Sequence, residues 1–200
     1  MKETLPLTKA LLNTVAKEHS GSKQFIEGKS SILYSQSIRG TGHIKFKGGS
    51  IYKGDIKQGL MKGKGKLLFK DGTSIEGRFK DNQANGQGEV IWADLSSYNG
   101  EIKENLREGN GTMIRASENV KVEGLWESDQ MNGFSKVTYP NGTIFEGVFK
   151  NNLKHGKGKI TFKSGSYYEG EFKNDKKEGY GEMHWVQDME VYKGFWKNNK

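Results

Sequence analysis

The 200-residue sequence has no cysteine, only two prolines, and no run of the eighteen or so apolar residues that a membrane-crossing helix needs. Without thiols there is no disulfide framework, thiolate metal site or cysteine nucleophile, and a reducing, cytoplasmic setting is the natural expectation. Scarce proline excludes polyproline linkers and collagen-like structure. No basic-then-apolar leader opens the chain, so a soluble protein, or one at most peripheral to a membrane, is expected. Apolar residues are also sparse, at 32% against 28% charged. That composition argues against one thick globular core and for a thin, repetitive fold, while 11% aromatics argue against disorder.

What the chain has in excess is glycine, with 28 residues, and basic charge, with a formal net charge of +8. The glycines are periodic. A segment of the form apolar, polar, glycine recurs at Tyr52-Lys53-Gly54, Ile75-Glu76-Gly77, Tyr98-Asn99-Gly100, Val122-Glu123-Gly124, Phe145-Glu146-Gly147, Tyr168-Glu169-Gly170 and Tyr192-Lys193-Gly194, in steps of 23 or 24 residues. Two further columns follow nine and eleven residues later, and the three together hold 18 of the 28 glycines. Rings or aliphatics sit two residues before and after the first glycine (Tyr52 and Ile56, Tyr168 and Phe172), and thirteen and fifteen after it (Leu67 and Phe69, Val90 and Trp92, Met183 and Trp185). These offsets have period two, so each repeat reads as two strands with glycines and rings on one face. Polar pairs such as Gln58-Gly59, Asp81-Asn82, Asp129-Gln130 and Asn151-Asn152 separate the strands, and Asp71-Gly72, Asn141-Gly142 and Ser164-Gly165 follow the second strand as turn signals. The fold expected is all-β: an elongated, single-layer, twisted antiparallel meander of stacked hairpins. In it, rings of one hairpin are expected to lie over glycines of its neighbour.

The segments Tyr168-Glu169-Gly170-Glu171-Phe172-Lys173-Asn174 and Asn152-Leu153-Lys154-His155-Gly156-Lys157-Gly158 resemble the MORN (membrane occupation and recognition nexus) repeat. The resemblance covers residues 51–200 as six full repeats and a terminal half, with a degenerate repeat at 25–50 containing Glu27-Gly28 and Gly40-Thr41-Gly42. It implies an extended β module that binds proteins, organises cytoskeletal or ciliary structures or tethers membranes, with phospholipid binding as an alternative. A further alternative is the regulatory repeat region of a longer lipid kinase or lysine methyltransferase. Repeats three and four depart from the pattern at Arg115, Val122, Leu125 and Ser135, through either repeat decay or a partner-specific patch.

Residues 1–24 read as a short amphipathic helix (Leu7, Leu11, Val15, with Pro6 in its first turn) and a linker, capping the first hairpin or docking a partner. No catalytic constellation is legible. His19, His43, His155 and His184 fall in separate segments without metal-ligand spacing, and Gly-Lys-Gly-Lys at 63–66 and 156–159 lacks the spacing of a phosphate loop. The expectation is a non-enzymatic chain without metal or cofactor.

These patterns define three candidate surfaces. Tyr52, Trp92, Tyr98, Trp126, Phe145, Tyr168 and Trp185 are expected to line a ring-and-glycine face that receives a helical or extended protein segment. Lys57, Lys80, Lys103, Lys150, Lys173 and Lys197, three residues after each first glycine, form a basic column suited to anionic lipid or acidic protein, or simply to solubility. Nucleic acid is not expected, because lysines and rings fall on opposite faces. Tyr192, Phe195 and Trp196 mark a last strand expected to self-associate, in a homodimer or a larger assembly. The cytoplasm, the cytoskeleton or cilium, or a membrane periphery would be the location.

Overall fold

A computed structural model describes residues 26–27 and 39–200. The expected N-terminal helix, and residues 28–38 of the degenerate repeat, lie outside the described residues. Within them all regular structure is β-strand. The chain divides into two compact units, one ending at Glu108 and the other running from Gly109 to Lys200.

In the first unit, β1 (Ile26–Glu27), β2 (Arg39–Lys45), β3 (Ile51–Lys57), β4 (Leu60–Leu68), β5 (Ser74–Lys80), β6 (Gln83–Ile91) and β7 (Ser97–Lys103) each pair antiparallel with the preceding strand. β8 (Leu106–Arg115) spans the boundary between the units. In the second unit β9 (Val120–Glu127), β10 (Gln130–Thr138), β11 (Ile144–Lys150), β12 (Leu153–Thr161), β13 (Tyr167–Lys173), β14 (Lys176–Trp185) and β15 (Glu190–Trp196) repeat the meander.

Alternation decides what is buried. In β3, Tyr52, Gly54 and Ile56 are buried while Ile51, Lys53, Asp55 and Lys57 are exposed. The glycines on the inward face are not gaps. A Cβ on Gly65 would lie 2.2 Å from the Tyr52 hydroxyl, and one on Gly170 would lie 2.5 Å from that of Tyr168. Gly54 pairs with Gly65, and Gly170 with Gly181, so each ring covers two glycines of its own hairpin rather than those of the neighbour. The physical reason is local: a tyrosine leaning along its strand covers the residue two further on and that residue's partner across the hairpin. Its hydroxyl then donates to the carbonyl three residues ahead, Tyr52 to Asp55 at 2.9 Å and Tyr98 to Glu101 at 2.8 Å. Neighbouring hairpins meet instead through rings set edge to face, Tyr52 with Phe79 and Phe145 with Phe172, both at 5.2 Å between centroids.

The glycine column nine residues on has a different purpose. Gly63 and Gly179 have φ of +68° and +70°, and the ladder between β3 and β4 slips between Gly54 and Ile56, so these glycines form bulges that curl the hairpin over its rings.

The tight turns between the strands of a hairpin have two residues at positive φ, for example Glu104 (50°) and Asn105 (67°). In the fourth repeat these are Ser128 and Asp129, one residue earlier than Asp129-Gln130, because Gln130 already pairs with Glu127. The second turn residue clasps the preceding repeat. Asn105 Oδ1 accepts from Ala84 N at 2.7 Å and Asn105 N donates to Ala84 O at 3.1 Å. Asn82 does the same to Met61, and in the second unit Asn152 to Met131, Asp175 to Lys154 and Asn199 to Lys177.

Candidate partner-binding surface

Six of the seven rings expected to anchor a partner are core. Tyr52, Tyr98, Phe145 and Tyr168 are 0% exposed, Trp126 3% and Trp92 5%. The chain roofs them itself. The position seven residues after the first glycine carries Met61, Ala84, Arg107, Met131, Lys154 or Lys177, and the cations lie over rings. The Arg107 guanidinium stands 6.0 Å from the Tyr98 ring, and Lys154 Nζ is 5.3 Å from that of Phe145. Lys177 Nζ is 4.7 Å from Tyr168 and 4.5 Å from Trp196, and burial pushes its pKa below the ordinary lysine value. Sequence periodicity places rings on a face but does not say what covers that face, so the groove expected there is filled. Trp185 alone of the seven is partly exposed, at an open depression of about 520 Å³ lined by Glu190, Val191, Tyr192, Trp196 and Lys200.

The departures from the repeat pattern are also mostly internal. Arg115 is 7% exposed beside Glu118 at 3.5 Å, Val122 is 1% exposed, and Ser135 is fully buried with no hydrogen-bond partner for its hydroxyl. Only Leu125 reaches the surface.

The outward face is organised in rows across the strands. One row is a ladder of ion pairs: Lys66 with Glu76 (3.0 Å) in the first unit, then Lys136 with Glu146 (3.1 Å), Lys159 with Glu169 (3.3 Å) and Lys193 with Glu182 (3.0 Å) in the second. Hydrogen bonds from Lys193 and His184 hold the Glu182 carboxyl below its usual range, and the same contact raises Lys193. The His184 ring stacks on Tyr167 at 4.4 Å.

The basic column is distinct from this ladder. Lys57, Lys80, Lys103, Lys150, Lys173 and Lys197 are all exposed, and none has a carboxylate within ion-pair distance among the described residues.

Between ladder and column runs a row that is Asp55, Lys64, Arg78, Gln87 and Glu101 in the first unit. In the second unit it becomes Leu125 (38% exposed), Phe134 (60%) and Val148 (38%) on β9, β10 and β11. Phe134 pairs directly with Val148, and a Cβ on Gly133 would lie 2.9 Å from Leu125 Cδ1. Phe134 and Val148 are absent from the sequence-derived candidates. The signal was present: Phe195 stands out as apolar in a polar column, and Leu125 and Val148 occupy that same column. Phe195 itself is 79% exposed and meets Tyr180 at 5.8 Å on the outward face. Tyr192 (44% exposed) and Trp196 lie on the inward face, their rings edge to face at 5.4 Å, with Trp196 Nε1 donating to Gly181 O at 3.2 Å. All three residues lie on β15, the last strand of the sheet, with Phe195 on its outward face and Tyr192 and Trp196 on its inward face.

Repeated hairpins with ring-covered glycine pairs and a clasp from each repeat to the last define a β-hairpin repeat protein. The sequence model of the MORN repeat matches residues 52–74, 76–97, 98–120, 123–144, 145–167 and 168–188, and the chain belongs to the MORN repeat family. No curated protein matches it. Among solved structures it is similar to the wild-type TCP10 domain of Danio rerio CPAP, with 14% identity and a TM-score of 0.40, spanning 66% of this chain and 62% of that one. It is also similar to the TCP domain of Drosophila melanogaster SAS-4 (dCPAP), solved in complex with a proline-rich motif of Ana2. There the identity is 13% and the TM-score 0.34, over 86% of this chain and 96% of that one.

Proposed function

We propose that this chain is a non-catalytic protein-interaction scaffold whose partner seats on the outward row Leu125–Phe134–Val148, not on the ring-and-glycine face. The observation that carries the reading is one contiguous apolar row on three adjacent strands, with Phe134 60% exposed, flanked by the ion-pair ladder. Exposed aromatic and aliphatic residues grouped in this way mark interaction sites. The test compares proteins retained by the intact chain with those retained by a Phe134→Asp variant. At least one stoichiometric partner lost on substitution supports the row as the site, and an identical set of partners for both proteins refutes it.

The basic column supports a second reading, contact with an anionic membrane. Each lysine near such a surface contributes on the order of 1 kcal/mol, so the three unpaired ones of either unit support weak, reversible attachment. Flotation with phosphatidylserine vesicles at physiological salt decides it: unbound protein under those conditions removes the reading. A cytoskeletal, ciliary or membrane-tethering assembly is the setting we propose for either mode, and a longer parent enzyme is the alternative setting.

A further inference from the structure

The residues around the apolar row set the chemistry of its partner, an assignment that rests on the row being the docking site. Leu125, Phe134 and Val148 stand on three adjacent strands, so they are spaced at about 4.8 Å and the row spans about 10 Å across the sheet. An extended segment presents residues to one side every ~6.7 Å, and three of them span about 13 Å. A helix presents residues i, i+3 or i+4, and i+7 along one stripe, spanning ~10.5 Å with steps of ~4.5–6 Å. The row therefore matches a helical stripe lying across the strands and mismatches an added strand.

Charge selects the kind of helix. On one side of the row the ladder is already neutralised, Lys136 by Glu146 and Lys159 by Glu169. On the other side Lys150 on β11 and Lys173 on β13 are exposed without a carboxylate partner. They stand two strands apart, again about 10 Å, the length of two helical turns. Glu127, in the same column beside Leu125, breaks the basic run and so fixes which end of the helix is acidic. A second copy of this chain fits poorly. Docked face to face about an axis along β10, it would set Glu123 against Glu146 and Lys136 against its own counterpart, so like charges oppose self-pairing.

We infer that the outward face of β9–β13 receives an acidic amphipathic helix of a partner protein. Its apolar stripe sits on Leu125, Phe134 and Val148, and acidic residues about seven apart in its sequence meet Lys150 and Lys173.

The test uses the full chain against a displayed library of helix-forming 18-residue peptides, randomised at stripe and flank positions, with Phe134→Asp as the counter-selection protein. Circular dichroism of each variant shows that it keeps the sheet. Expected enrichment is for apolar residues at i, i+3 or i+4, and i+7 with Asp or Glu on one flank. A chosen peptide should bind Lys150→Glu, Lys173→Glu roughly tenfold more weakly, with a flatter salt dependence. Phe134-dependent peptides with basic or uncharged flanks overturn the acidic assignment and leave the docking row standing. Peptides indifferent to Phe134→Asp overturn both. An empty selection, or phosphatidylserine vesicles that bind through Phe134 when no peptide does, overturns the helix in favour of a membrane.

Discussion

Replacing Asn105 isolates the clasp between repeats. Its side chain accepts the buried amide of Ala84 at 2.7 Å, and its backbone sits at φ 67°, where L-residues other than asparagine, aspartate and glycine are strained. Asn105→Asp keeps the acceptor and tolerates that backbone, so it should cost under about 1 kcal/mol. Asn105→Gly keeps the backbone but leaves the Ala84 N–H without a partner, a penalty of about 1–3 kcal/mol. Asn105→Ala adds the left-handed strain, about 1–2 kcal/mol more. The expected order of stability is therefore wild type, Asp, Gly, Ala. Urea unfolding followed by tryptophan fluorescence gives the differences, and amide exchange at Ala84 reports the local opening directly. If Gly and Ala variants unfold together, strain plays no part in the turn. If Ala84 exchanges no faster in Asn105→Gly than in wild type, the clasp is ornamental and the bond from Asn105 protects nothing.

Leu95 occupies a turn position at φ 66° where the equivalent residues are Gly72, Gly142 and Gly165, and its side chain is 75% exposed, so Leu95→Gly should stabilise by about 1 kcal/mol in the same urea assay. Gly65→Ala places a methyl 2.2 Å from the Tyr52 hydroxyl and should cost about 1–3 kcal/mol, with part of the loss recovered by adding Tyr52→Leu. Ser135→Ala removes a buried hydroxyl that has no partner, and thermal unfolding should show no loss of stability. Burial, and then the neighbouring Asp55 charge, push the Tyr52 phenol up to about 12, and burial likewise raises Tyr168. A group raised in the folded state stabilises fully below its unfolded pKa near 10, so stability should be unaffected by these phenols to about pH 10 and fall through pH 12. Denaturant midpoints measured between pH 8 and 12 check this against a Tyr52→Phe, Tyr168→Phe variant, whose alkaline decline should be smaller.

Strand placement was legible because period-two alternation and the 23-residue step carry it redundantly: misreading one hairpin leaves six others to set the phase. The pairing of Gly54 with Gly65 under Tyr52 was half legible. Sequence put ring and glycines on one face, but which hairpin's glycines the ring covers depends on the lean of a side chain, which no spacing encodes. The ring-and-glycine face was read as open for a related reason. Rings such as Tyr98 and Phe145 looked like excess apolar material without a cover, because the roof over them is made of charged residues, Arg107 and Lys154, that sequence reasoning assigns to solvent. Phe134 was overlooked because one phenylalanine in a column with Lys64, Gln87, Asn110, Lys157 and Tyr180 carries little weight until its register with Val148 joins it to a second column.

The clasp has a direction. Asn82, Asn105, Asn152, Asp175 and Asn199 each reach back to the repeat before them, and every one of these links runs that way. Removing a later repeat strips an acceptor from the amide behind it, buried at Ala84, whereas removing an earlier one frees the clasp residue's side chain and amide together with amides such as Glu104 N, from which the earlier repeat's Asn85 accepts. Built from ribosome outward, such an array seals each hairpin when the next one emerges.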